Sequence, residues 1–373
     1  MSRRTIFAII AVLVVVVAII GIRITQKPAE EKVIKIGAIL PLTGPGAIFA
    51  QYIKEGIELA LDEINKASPL RVSIVYEDSK NQPKEGVAAY NKIVINEKPP
   101  IIIVALSSVA KALAPLAENT KTIQVYIAVA IPKITDGNYQ FRVYPNAYGM
   151  AGVMAHFIAT QLGAKTAAVI YINDDFGRVS LEAFKRELSN YGGKVIYADS
   201  YELQQTDFRP QITKLKNLGP APDVIYLSGY GPSYGVIVRQ LKELGVKVQL
   251  TADMTLGLPN TLEQVGNAAE GVYFVDGKMS FEFIEKFKQK YGKEPSSYAG
   301  YAYDIVNILY TIAENKGLFK TDNIRQGLHE IRDYRGAMGN ISIRDNGDAN
   351  LEFVVKSIKD GQPFIITSRE GEK

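Results

Sequence analysis

Two adjacent serines, Ser107 and Ser108, follow the apolar run Ile101–Ala105 and open a segment of helical pattern, Val109–Asn119. Serines at that position offer hydroxyls and unbonded backbone N–H groups to an anion. The same residues also serve as an ordinary helix N-cap. An acidic pair, Asp174–Asp175, sits in the polar turn after another apolar run, where it reads as a solvated turn rather than a metal site. The residue types that are missing narrow the chemistry further. There is no cysteine, which excludes disulfides, thiolate-held metals and thiol nucleophiles. His156 and His329 are the only histidines and both fall within helical patterns, so neither a multi-histidine metal site nor a histidine-based catalytic cluster is expected. The phosphate-loop, dinucleotide-turn, nucleophile-elbow and zinc-helix motifs are also absent. This residue set speaks for binding rather than catalysis, with no cofactor and no metal.

The elements that must position these residues begin with Val33–Asn65. Ile34, Ile36, Ala38, Ile39 and Leu40 form a short apolar run ending at Pro41, as expected of a parallel strand covered on both faces. Leu42–Gly46 is a loop at its carboxyl end, and Ile53, Ile57, Leu61 and Ile64 then recur at helical spacing. A similar unit begins halfway along the chain, with an apolar run Ala167–Ile172, a polar loop Asn173–Gly177 and a helix carrying Leu181, Phe184 and Leu188. Two such starts in 373 residues, more than one core of roughly 250–300 residues holds, predict an α/β protein of two lobes. Further strands are expected at Arg71–Tyr76, Gln124–Ala130, Phe141–Pro145, Lys194–Ala198, Val224–Leu227, Val248–Thr251 and Gly271–Val275. The tail changes character: Gly339–Ile343, Leu351–Ile358 and Phe364–Thr367 read as hairpin strands separated by Asn-Gly and Asp-Gly turns. A net charge of +4 with no basic cluster gives nucleic-acid binding little support.

Ahead of the lobes, Arg3 and Arg4 precede an uncharged run, Thr5–Ile22. Its apolar part covers ~25 Å as a helix, slightly less than a ~30 Å hydrocarbon core, a gap that snorkelling arginines close. The leading basic residues predict a cytoplasmic N-terminus and an exported body. No small-x-small cleavage pair follows in AIIGIRIT, which favours a retained transmembrane anchor over a cleaved signal peptide. Residues 1–24 are therefore read as tip and anchor or signal segment, and 25–32 as a polar tether.

The body carries an ordered series of motifs. KIGAILPLTGPG precedes the helix EGIELALDEIN, and the D-x-x-x-x-P loop Asp78–Pro83 and the Ser107–Ser108 helix start follow. Next come Tyr139–Pro145, DDFG at Asp174–Gly177, TDF at Thr206–Phe208, GYGP at Gly229–Pro232 and AAEGV at Ala268–Val272. Each is weak alone; in this order, over Val33–Ile366, they resemble the type I periplasmic binding proteins, and more narrowly the branched-chain amino-acid-binding subfamily of ABC importers. The resemblance implies two Rossmann-like lobes joined by three crossovers. By similarity the first lobe is 33–145 with 277–336, and the second is 146–276 with 337–373 including the tail.

The resemblance also implies a site. The family serine that binds a ligand carboxylate matches Ser108, with Ser107 beside it. The loop supplying a backbone carbonyl and a hydroxyl matches Ala128–Ile131, where Val129 and Ala130 stand and the hydroxyl is missing. The aromatic of the family D-x-x-Y-G turn matches Phe176, a family tyrosine matches Tyr230, and the acid that receives the ammonium matches Asp253. Asp253 also reads as a cap for the turn before Leu256. The implied role is a membrane-tethered solute-binding protein that passes an amino-acid-like ligand to an ABC permease and its ATPase subunits. The lost hydroxyl leaves an amide, amine, peptide or aromatic ligand open, as does a ligand-sensing receptor role.

Overall fold

The computed structural model describes residues 33–68, 70–316 and 320–370. The expected anchor at 1–24 and tether at 25–32 lie outside them. Among the described residues no helix is long and apolar enough to cross a membrane.

The first lobe is built on β1 (Val33–Leu40), β2 (Arg71–Asp78), β3 (Ile101–Ala105), β4 (Ile123–Ile127) and β5 (Gln140–Arg142), in the parallel order β2-β1-β3-β4-β5. Every residue of β3 and β4 is buried, which is why both read as unbroken apolar runs. The connecting helices are α1 (Ala47–Ala67), α2 (Pro83–Asn96) and α3 (Ser107–Thr120). On α1 the stripe Ile53, Ile57, Ala60 and Ile64 is buried. β4 stops at Ile127 rather than at Ala130, because Ala128 turns into the left-handed region at φ 54° and takes the chain out of the ladder.

The second lobe contains α4 (Ala147–Thr160), β6 (Thr166–Ile172), α5 (Asp175–Ser189), β7 (Lys194–Tyr201), α6 (Arg209–Lys216), β8 (Val224–Ser228), α7 (Pro232–Glu243) and β9 (Gln249–Ala252). A 3-10 turn at Met254–Gly257, the short helix α8 (Pro259–Val265) and β10 (Tyr273–Gly277) follow. The hydrophobic pattern gave no sign of α8, whose one buried residue is Val265. The chain then returns to the first lobe for α9 (Phe281–Tyr291), α10 (Ser297–Lys316) and α11 (Thr321–His329), and α10 packs along α1. A small antiparallel sheet, β11 (Tyr334–Gly336), β12 (Gly339–Ile343) and β13 (Ala349–Asn350), leads back. β14 (Glu352–Lys359) and β15 (Gln362–Glu370) complete the seven-stranded order β15-β14-β10-β9-β8-β6-β7. The tail strands thus join the second sheet as an antiparallel edge on an otherwise parallel core.

Each of the three passages between the sheets is fastened by a buried carboxylate. At the first, Arg142 is fully buried and donates from Nε and Nη2 to the two carboxylate oxygens of Asp348, both at 2.8 Å. At the second, Asp276 accepts from the Ser297 hydroxyl and from Lys356 Nζ. At the third, Asp304 accepts from the N–H groups of Ala337 and Met338 at 2.6 and 2.9 Å. A buried charge survives only when paired or hydrogen-bonded, so these contacts also fix where the chain bends between lobes.

Candidate functional site

The loops at the carboxyl ends of β2, β3, β4, β6, β8 and β9 face one another across the lobes, where open α/β sheets place ligands. They border a narrow cleft of about 380 Å³ counted to its open mouth. On the first-lobe side its wall includes Asn81, Ser107, Ser108 and Ala128; on the second-lobe side it includes Asp174, Phe176, Tyr230 and Thr255.

One pole suits an anion. α3 has Leu106 in its N-cap place, at φ 70°, and no side-chain cap, so its first-turn N–H groups retain their bonding capacity. Ser107 is tied down, its Oγ accepting the Ala130 N–H at 3.2 Å. Ser108 is half-buried on the cleft wall. Its hydroxyl and the helix N-terminus together offer donors and a partial positive charge.

The opposite pole is Asp174. As N-cap of α5 it accepts the Gly177 N–H at 2.9 Å through Oδ1, while Oδ2 accepts the Tyr230 hydroxyl at 2.5 Å. Burial pushes its carboxyl above the ordinary carboxylate range, and the bonds from Tyr230 and the backbone oppose that shift. The Tyr230 oxygen in turn accepts from Asn81 Nδ2 at 3.2 Å across the lobes. Asp175 points a different way: it pairs with Lys111 of α3 at 3.1 Å and with Arg178 at 3.3 Å. The adjacent acids therefore separate into one facing the cleft and one joining lobe to lobe. Tyr52 adds another bridge, donating to Asn260 Oδ1 at 2.8 Å.

Rings fill the space between the poles. Phe49 meets Tyr230 edge-on with centroids 5.5 Å apart and lies 5.0 Å from Tyr298. Phe176 is 6.2 Å from Tyr230, and Tyr144 completes the wall beside Tyr298 at 5.5 Å.

Four of the expected site residues, Ser107, Ser108, Phe176 and Tyr230, thus come together on one cleft. Three do not line it. The Val129 carbonyl accepts Arg142 Nη1 at 3.1 Å, and Ala130 is turned to Ser107, so Ala128 forms the wall in their place. Asp253, expected to receive an ammonium, is 1% exposed and already holds four donors. Gly229 N–H and Ser228 hydroxyl bond one oxygen at 2.8 and 3.1 Å. Thr255 N–H and Tyr234 hydroxyl bond the other at 2.9 and 3.2 Å. Asp253 therefore caps the Met254–Gly257 turn, and burial pushes its carboxyl up to about 6. The sequence reading missed Phe49, Asn81, Tyr144, Asp174, Thr255 and Tyr298. Asn81 lies inside the Asp78–Pro83 motif and was findable there; Phe49 and Tyr298 sit on amphipathic helices, where spacing cannot tell a core ring from a cleft ring.

Two α/β lobes linked by three passages, with a bipolar cleft at the strand ends, define a type I periplasmic binding protein. The chain belongs to the periplasmic binding protein family, whose model matches residues 33–362. It is 28% identical over 331 residues to Leu/Ile/Val-binding protein homolog 3 of Brucella melitensis, a match covering 84% of this chain and 88% of that one. Among solved structures it is similar to the leucine-binding protein LivK of Thermotoga maritima, at 29% identity and TM-score 0.85, covering 90% of this chain and 99% of that one. It is similar also to an R. palustris ABC-transporter solute-binding protein in complex with 4-hydroxybenzoate, at 25% identity and TM-score 0.81, covering 92% and 98%. The resemblance read from the motif series is therefore shown by these comparisons.

Proposed function

We propose that this protein is the extracytoplasmic solute-binding component of an ABC importer, capturing an amino-acid-like ligand between its lobes and presenting it to a membrane permease served by ATPase subunits. Residues 1–24 would tether the body to the cell membrane. The observation that carries this reading is the bipolar cleft: the uncapped start of α3 with Ser108 on one lobe, and Asp174 with Tyr230 on the other. A zwitterion places its carboxylate at the first pole and its ammonium at the second, and its side chain lies against Phe49 and Phe176. Contacts such as Lys111–Asp175 and Asn81–Tyr230 favour the closed form, and the ligand adds to them by touching both lobes. The cation pole in this reading is Asp174 instead of Asp253.

The five rings on the wall, Phe49, Tyr144, Phe176, Tyr230 and Tyr298, favour one further reading, an aromatic carboxylic acid held by the same anion pole. Calorimetric titration with leucine, isoleucine, valine, phenylalanine and 4-hydroxybenzoate separates the two. A hydrogen bond to a charged group is worth ~1.5–3 kcal/mol, so Ser108→Ala should weaken any carboxylate ligand about tenfold or more. Asp174→Asn should weaken an amino acid by a similar factor and leave an aromatic acid bound at least as tightly. Amino-acid binding that survives both substitutions would overturn the proposal.

A further inference from the structure

A second cavity, of about 1420 Å³ counted to its open mouth, lies away from the bipolar cleft, against the second passage between the lobes. Its walls come from both lobes: Leu262 of α8 and Ile358 of β14 on one side, Met279 and Ile284 on the other. Asp276 and Lys356 lie on its inner surface, paired at 2.7 Å with side chains only 7% and 12% exposed. The pair is asymmetric in what it leaves over. Asp276 already accepts from three donors, Lys356, the Ser297 hydroxyl and the Gly277 N–H, which leaves one of its roughly four acceptor positions. Lys356 Nζ has that one acceptor among the described residues, which leaves two of its three donors. Beside them Ser296 is 3% exposed, and its hydroxyl is buried without a hydrogen-bond partner. A buried hydroxyl without a partner is uncommon in a folded chain and calls for an explanation.

The geometry points to a second small-molecule site, built for an uncharged, mainly apolar ligand carrying an amide. The amide oxygen accepts from Lys356 Nζ, and its N–H donates to Ser296 Oγ. The apolar body rests on Leu262, Met279, Ile284 and Ile358. Charge decides against an acid. The Asp276–Lys356 pair is already neutral, so a carboxylate seated on Lys356 meets the Asp276 carboxylate as well, and Glu263 on the lining adds to the repulsion, whereas Glu294 is paired with Lys288 at 2.7 Å. An amide meets Lys356 without that opposition.

Titration of 4-phenylbutanamide and 4-phenylbutanoate into the full chain tests this. The amide should bind one-to-one and about tenfold or more tighter than the acid. Leu262→Trp, which sets a bulky ring where the apolar body rests and leaves the ion pair intact, should weaken binding about tenfold or more. Ser296→Ala, which removes only the hydroxyl, should weaken it, and Asp174→Asn in the main cleft should leave it unchanged. Absence of amide binding, equal binding of the acid, or loss with Asp174→Asn but not with Leu262→Trp would overturn the inference.

Discussion

Asp174 and Asp253 are both buried acids of the second lobe, and their hydrogen bonds give them different work. Asp253 holds four internal donors and keeps the loops after β8 and β9 together. Asp253→Asn turns one acceptor into a donor facing donors, so it should cost roughly 1–3 kcal/mol of stability, seen as a lower urea midpoint. Its effect on ligand affinity should be smaller than that of Asp174→Asn. Asp174 holds a tyrosine and a helix N-terminus on the cleft wall, and its substitution should move affinity more than stability. Only part of this was legible in the sequence. The order of motifs located the loops, and Ser107, Ser108, Phe176 and Tyr230 are on the cleft. Which acid of the second lobe faces the ligand depends on donors such as Tyr234 and Ser228, which approach only when strands β8 and β9 pair, and no local spacing records that. The same holds for Val129: its carbonyl is claimed by Arg142, a residue that reads locally as an ordinary strand-end charge.

Among the elements, the fit of α1 against α10 is a direct test of packing. A Cβ on Gly56 would stand 2.0 Å from the Ala299 carbonyl oxygen, so the two helices approach through that glycine. Gly56→Ala should destabilise the first lobe by about 3 kcal/mol, measured by thermal unfolding. The passages between lobes make a second prediction, about pH. Burial pushes the Asp304 carboxyl up to about 7, against its two backbone N–H bonds. Between the unfolded value near ~3.9 and that folded value, the folded chain keeps a proton the unfolded chain has lost. Stability from this group is therefore present at low pH and falls as pH rises through the window, by about 1.4 kcal/mol per unit. Asp253, pushed up to about 6, acts in the same direction over the lower part. Urea unfolding at about pH 5 and about pH 8 should show this decline, and Asp304→Asn should flatten it. The strands and long helices were legible because each has one dominant period. β4 and the region of α8 were read less well, since a left-handed Ala128 and a seven-residue helix with one buried side chain leave no periodic trace.

At the scale of the whole molecule, the proposed function has two lobes close over a ligand with opposite charges at its ends. The two sheets form the lobes, and a buried carboxylate is bonded at each passage between them. Asn81–Tyr230, Lys111–Asp175 and Tyr52–Asn260 then join them across the cleft. Exposed ion pairs such as Lys111–Asp175 contribute little alone, so in the proposed function closure draws on the ligand's contacts to both poles. The most direct measurement is calorimetric titration of leucine beside its two halves in charge, leucinamide without the carboxylate and 4-methylpentanoate without the ammonium. Binding of leucine about tenfold or more tighter than either, with the advantage over 4-methylpentanoate lost in Asp174→Asn, is the predicted result. 4-Methylpentanoate binding as tightly as leucine would contradict the ammonium pole and with it the account.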